Sequence, residues 1–143
     1  KNVKTLLNSG NVIFEGTGSG EALSKKIEEG LKKKFDQEIH VIVRSTEELE
    51  KLAAKNPFKG IKVTPQTRLY ITFLSEKAKS ALKIPYESPE KDFKILSASK
   101  DEVCSVLMVS PTKKTGDLMK ILEKEYGKKV TTRNWNTILR MLY

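Results

Sequence analysis

Catalysis by a nucleophile or a metal needs histidine, cysteine and carboxylates to meet in one place, and this chain supplies one histidine and one cysteine. His40 falls between Ile39 and Val41 in an alternating run. One strand histidine cannot build a histidine metal cluster, and no Ser-His-Asp arrangement assembles around it. Cys104 stands in the apolar run Val103 to Val109, beside Asp101 and Glu102. Negative neighbours suppress the thiolate, so Cys104 reads as a packed structural thiol. On these grounds no catalytic residue, metal ligand or cofactor is expected.

Anion recognition is better supplied. Lys113, Lys114 and Thr115, preceded by Thr112, form a basic, hydroxyl-bearing loop just ahead of a helix pattern. There charge, side-chain donors and the helix dipole converge on one place. Arg133 and Asn134, with Asn136, surround Trp135, whose spacing to the following apolar residues turns it inward rather than toward a stacked base. Asn8, Ser9 and Asn11 lie about a tight reversal, where their amides serve the turn and can also present donors and acceptors to a ligand. The run Gly16-Thr17-Gly18-Ser19-Gly20 fits neither a dinucleotide fingerprint nor a P-loop, because Glu21 stands where the latter needs lysine. It reads as a connector.

The totals agree with a binding role. The net charge is +9 in 143 residues. Basic against acidic residues number 11 to 9 over residues 1–60, 8 to 6 over 61–110 and 8 to 3 over 111–143, so the excess is C-terminal. Such a balance attracts phosphate-rich or other anionic partners, nucleic acid among them. A composition 38% hydrophobic and 31% charged is that of a globular chain. No apolar run approaches the roughly 20 residues that span a bilayer, and no charged-then-apolar leader opens the chain. A lone cysteine fits a reducing compartment, so no membrane association and a cytoplasmic location are expected.

The elements that must position these residues follow from periodicity. Val3 to Leu7 and Asn11 to Phe14 read as a hairpin around Asn8-Ser9-Gly10. Leu23, Ile27, Leu31 and Phe35 draw one apolar stripe on a helix that starts near Glu21. Ile39, Val41 and Val43 alternate as a strand. Ser45 with Glu48 forms a capping box for a helix that Asn56-Pro57 stops. Leu69, Ile71 and Phe73 begin a second unit, followed by a short helix near Glu76 to Leu82. Phe93 to Ala98 and Val103 to Val109 then form a hairpin, and Asp117 to Tyr126 a helix ended by Gly127. An extended piece around Val130 precedes a closing helix carrying Trp135, Ile138, Leu139 and Leu142, capped by Thr132 or Asn134.

The expected fold class is α+β, with two ferredoxin-like (split βαβ) units over residues 1–62 and 63–143. The first has the order of the second without its opening strand and helix. An interior strand is then missing between the hairpin and Ile39 to Val43, and two edges stand open. Either residues upstream of this chain supply that strand, or a second molecule donates it, which would make the protein a homo-oligomer through the incomplete sheet.

The stretches Asn8-Ser9-Gly10-Asn11-Val12-Ile13-Phe14 and Thr132-Arg133-Asn134-Trp135-Asn136-Thr137 resemble the bacterial family known as domain of unknown function 1697. Val41 to Arg44 and Asn56-Pro57-Phe58 are also similar. The resemblance implies a duplicated ferredoxin-like α+β fold. It also implies an opening strand and helix that this chain lacks, and it brings no established activity. Where family members carry a Gly-Arg-Ser-Lys-Leu-like run, this chain has Pro111 to Gly116.

The leading expectation is therefore a non-enzymatic, basic binding module for an anionic ligand. An RNA-recognition mode is disfavoured, because Val103 to Val109 offers no aromatic ring. The alternatives are an enzyme acting on a small anionic substrate between the two units, and a self-associating structural protein.

Overall fold

The structure is a computed structural model that describes residues 4–6, 11–74, 83–99, 101–110, 116–127 and 129–142. The hairpin pattern forms as β1 (Lys4–Leu6) and β2 (Asn11–Ile13), paired antiparallel with Thr5 opposite Val12. The small-residue connector ends in Ser19, whose hydroxyl accepts the Ala22 N–H at 3.1 Å and caps α1 (Gly20–Phe35). Ser45 and Glu48 complete their capping box at the start of α2 (Thr46–Ala54).

The centre of the molecule is a five-stranded antiparallel sheet in the order β4-β5-β6-β3-β7. Its strands are β3 (Thr67–Leu74), β4 (Tyr86–Glu87), β5 (Phe93–Ala98), β6 (Glu102–Met108) and β7 (Val130–Asn134). Two helices follow the sheet's later strands, α3 (Gly116–Tyr126) and α4 (Trp135–Leu142). With four helices among the described residues, the fold is α+β.

The sheet is covered on both faces, which explains why Val103 to Leu107 reads as one apolar run rather than an alternation. On one face Leu74, Ile95, Val103 and Leu107 pack with Leu118, Leu122 and Tyr126 of α3. On the other, Ile71, Phe73 and Cys104 pack with Leu49 and Leu52 of α2, Phe58 and Ile138 of α4. Trp135 packs against this second cluster, its ring 5.5 Å from that of Phe58 and tilted by 59°. Residues of the first 62 and of the last 81 thus share a core.

Two sequence readings change. Ile39 to Val43 forms no ladder, since a strand needs a neighbour and among the described residues none flanks it. Thr132 is not a helix cap: it lies within β7, and its hydroxyl pairs with that of the fully buried Thr72 at 2.8 Å. Asn134, the last residue of β7, immediately precedes α4. The helix expected near Glu76 to Leu82 lies outside the described residues.

Candidate functional site

β3 carries β7 along its outer edge, with Ile71 opposite Arg133. This places Arg133 beside the hairpin. Its Nε–H donates to Asn11 Oδ1 at 2.8 Å, and its Nη1 donates to Thr131 Oγ1 and to the Thr132 carbonyl, each at 2.9 Å. Asn11 is itself buried. Two residues 122 positions apart, each singled out on separate chemical grounds, therefore form one polar contact.

That contact stands in the wall of a cleft of about 660 Å³. Val12 and Phe14 of the hairpin side, Ile27 and Leu31 of α1, and Val130 and Met141 near the C-terminus line it. The segment Ile39 to Arg44 forms a further wall. The cleft is mainly apolar, and among the described residues its charged lining is Arg44, Lys129 and Arg133, with no aspartate or glutamate. Its size falls within the roughly 300–1,000 Å³ of small-molecule sites.

Arg44 and Arg133 differ in how their charge is met. The Arg44 guanidinium donates to the carbonyls of Val43, Leu74 and Asp101, lies over the Phe73 ring, and has Glu48 at 4.0 Å. It is a structural clasp. Arg133 is half-buried, and burial lowers its pKa because the charged form loses water. Among the described residues no carboxylate lies within ion-pair distance of it, and its Nη2 has no hydrogen-bond partner. A partly desolvated cation without a counter-ion is an arrangement that an anion would stabilise.

The other candidates are placed as follows. Asn134 is exposed at the junction of β7 and α4. Lys113, Lys114 and Thr115, and likewise Asn8 and Ser9, lie outside the described residues. His40 is exposed at the rim of the cleft. Cys104 is buried beneath α2 and α4, where burial pushes its thiol pKa up despite a hydrogen bond with Ser97. No group of three or more histidine, cysteine or acidic residues that could hold a metal occurs among the described residues. No helix among them is long and apolar enough to cross a membrane.

The cleft lies between the hairpin side and residues 39 to 44, where the sequence reading left an interior strand missing, but its lining by α1 and by the C-terminal residues was not foreseen. Part of its signal was present in the stripe of α1, of which Ile27 and Leu31 line the cleft, and in the alternation of residues 39 to 43.

No curated protein matches the chain, and no solved structure does. The profile of the family described as "Protein of unknown function (DUF1697)" matches residues 1–104. That span contains Asn8 to Phe14, Val41 to Arg44 and Asn56 to Phe58, while Thr132 to Thr137 lies beyond it. With nearly three quarters of its length matched, the chain belongs to the DUF1697 family, whose description assigns no activity.

Proposed function

We propose that the protein is a non-enzymatic binding module whose cleft takes an anionic ligand with an apolar body. The observation that carries this reading is Arg133, a half-buried guanidinium oriented by Asn11 and Thr131, with neither a carboxylate partner nor an acid in the cleft lining among the described residues. A carboxylate or phosphate at Nη2 would receive a charge-assisted hydrogen bond. The apolar walls would bury the remainder of the ligand. Lys113, Lys114, Thr115 and Asn134 belong to the same reading as further anion contacts on the basic C-terminal third. Apolar walls favour an amphipathic anion over the phosphate backbone of a nucleic acid, which is hydrophilic along its length.

Residues 63–143 read within this proposal as a split βαβ unit, supported by the strand order β5-β6-β3-β7 with α3 leading into β7. Residues 1–62 read as its incomplete companion, and the cleft lies where the two meet.

Titration with octanoate and octyl phosphate, followed by NMR at the Arg133 Nε–H and the Asn11 side-chain amide, tests the reading. Saturating shifts are expected, with binding weakened at least about tenfold in Arg133→Met, since hydrogen bonds to charged groups contribute about 1.5–3 kcal/mol. Octanol binding as tightly as octanoate, or Arg133→Met binding as well as the unaltered chain, would overturn it.

A further inference from the structure

Residues 51–68 hold Lys51, Lys55, Lys59, Lys62 and Arg68 and contain no aspartate or glutamate. The run straddles residue 60, so neither of the first two charge balances reveals it. All five cations are exposed, and among the described residues none forms an ion pair. Lysines at a helix end ordinarily answer the helix dipole, which accounts for Lys51 in the last turn of α2 and Lys55 at its C-cap. The dipole does not account for Lys59, Lys62 and Arg68, which lie beyond the helix, or for the lack of acids across the whole run. The acids of α2, Glu47, Glu48 and Glu50, all precede it, and Glu48 is committed to the cap and lies beside Arg44.

These cations stand on a fixed backbone. The Lys55 N–H donates to the Lys51 carbonyl at 3.1 Å, Lys59 N–H to Asn56 at 3.0 Å and Ile61 N–H to Phe58 at 3.1 Å. Asn56 at φ 47° and Gly60 at φ 85° turn the chain between them. Phe58 pins the turn by burial in the core, its ring 5.5 Å from that of Trp135. Thr67 Oγ1 holds the following loop by accepting the Thr64 N–H at 2.9 Å, and Arg68 Nη1 donates to the Pro65 carbonyl at 2.8 Å. Lys51 and Lys55 are one helical turn apart and share a face. None of these residues lines the cleft.

A fixed row of unpaired cations is complementary to a polyanion with regularly spaced charges, and the rest of the surface narrows the choice. Phe58 is the sole aromatic residue of the run and is buried, so no ring is presented for stacking unpaired bases. Val63, 64% exposed, is the one large apolar side chain of the run that stands well out in solvent. A single valine is less apolar chain than one acyl anchor, which by itself binds a bilayer only marginally. Contacts to phosphates alone remain, and a duplex offers them most densely.

We propose that residues 51–68 form a second surface, separate from the cleft, that binds the phosphate backbone of duplex nucleic acid through Lys51, Lys55, Lys59 and Lys62 without reading base sequence.

Fluorescence anisotropy with labelled 20-base-pair DNA and RNA duplexes, over a salt series, tests the proposal. A log–log salt slope of about −4 is expected, since each lysine that meets a phosphate carries about one unit. Replacing all four lysines by glutamine should lower the slope by about three and weaken binding at least about tenfold at 50 mM salt, and Lys59→Gln alone should lower the slope by about one. Removing as many charges from α1, as Lys25, Lys32, Lys33 and Lys34 to glutamine, should change the slope by less than about one. The quadruple variant of residues 51–62 should keep its near-ultraviolet circular dichroism and bind octanoate as the unaltered chain does, and Arg133→Met should bind duplex normally. The proposal is overturned if no duplex binds at 20 mM salt, if both quadruple variants weaken binding equally, or if Arg133→Met weakens it as much as they do. A preference of more than about tenfold between DNA and RNA would also overturn it, because phosphates are common to both. So would capture by phosphatidylserine vesicles through the same lysines in the absence of duplex binding, which would make the partner a lipid surface.

Discussion

Arg44 offers the sharpest test of how the first part of the chain is held to the sheet. Its Nη2 donates to the Leu74 carbonyl at 2.6 Å and to the Asp101 carbonyl at 3.2 Å, joining the segment before α2 to the end of β3 and to the β5–β6 connection. The same connection is closed by the Leu74 N–H, which donates to the Asp101 carbonyl at 2.9 Å. Arg44→Met keeps most of the stem volume and removes all of these bonds. Hydrogen bonds to a charged group contribute about 1.5–3 kcal/mol each, and the stacking over Phe73 adds about 0.5–1 kcal/mol. The total is less than the sum, because the Val43 bond is local and Nε, at 4.0 Å from Glu48, has no hydrogen bond of its own. A loss of about 2–4 kcal/mol is expected in urea unfolding, with an unchanged denaturant slope. Arg44→Lys should recover less than half, since an ammonium cannot reach two carbonyls and a ring face at once. A loss under about 0.5 kcal/mol, or full recovery with lysine, would refute the clasp.

Cys104 should resist thiol reagents at pH 8 in the native chain and react rapidly once urea unfolds it, as judged by absorbance of the released chromophore. Because burial raises its folded pKa, the stability it contributes is fully present below the unfolded thiol's pKa of about 8.5 and declines above it, by up to about 1.4 kcal/mol per pH unit. Cys104→Ala should remove that part of the decline, whereas an unaltered pH profile would count against a buried thiol. Two glycines should respond oppositely to alanine in thermal unfolding. Gly30 lies within α1 with open space around its Cβ position, so Gly30→Ala should stabilise by about 0.5–1 kcal/mol. Gly127 ends α3 at φ 91° in equally open space, so Gly127→Ala should cost about 1–2 kcal/mol from backbone strain alone.

Local chemistry made much of the fold legible. Ser45 with Glu48 marks a helix start because both partners of the reciprocal bond lie within four residues, and Gly127 marks a stop because only its own backbone must turn left-handed. The hairpin of β5 and β6 is legible for the same reason: its two apolar runs are joined by Ser99 to Asp101. Strand β4 is two residues long and carries no period to read. The alternation of Ile39, Val41 and Val43 is genuine, but alternation states only which side chains share a face. Whether a ladder forms depends on a neighbour elsewhere in the chain or outside it.

The site shows the same division between local and distant causes. Arg133 and Asn11 were each visible as polar groups near a strand end or turn, yet their 2.8 Å contact depends on where β7 lies relative to the hairpin, 122 residues away. Charge totals pointed to the C-terminal third, and burial is what marks Arg133, whose guanidinium has lost water. The structure adds that this cation, Ile27 and Leu31 of the α1 stripe and the segment 39–44 all border one space. Each feature alone has an ordinary explanation in solvent exposure. Their convergence on one cleft of about 660 Å³ is what solvent exposure does not explain, and an anion with an apolar body would meet the cation and cover the apolar walls together.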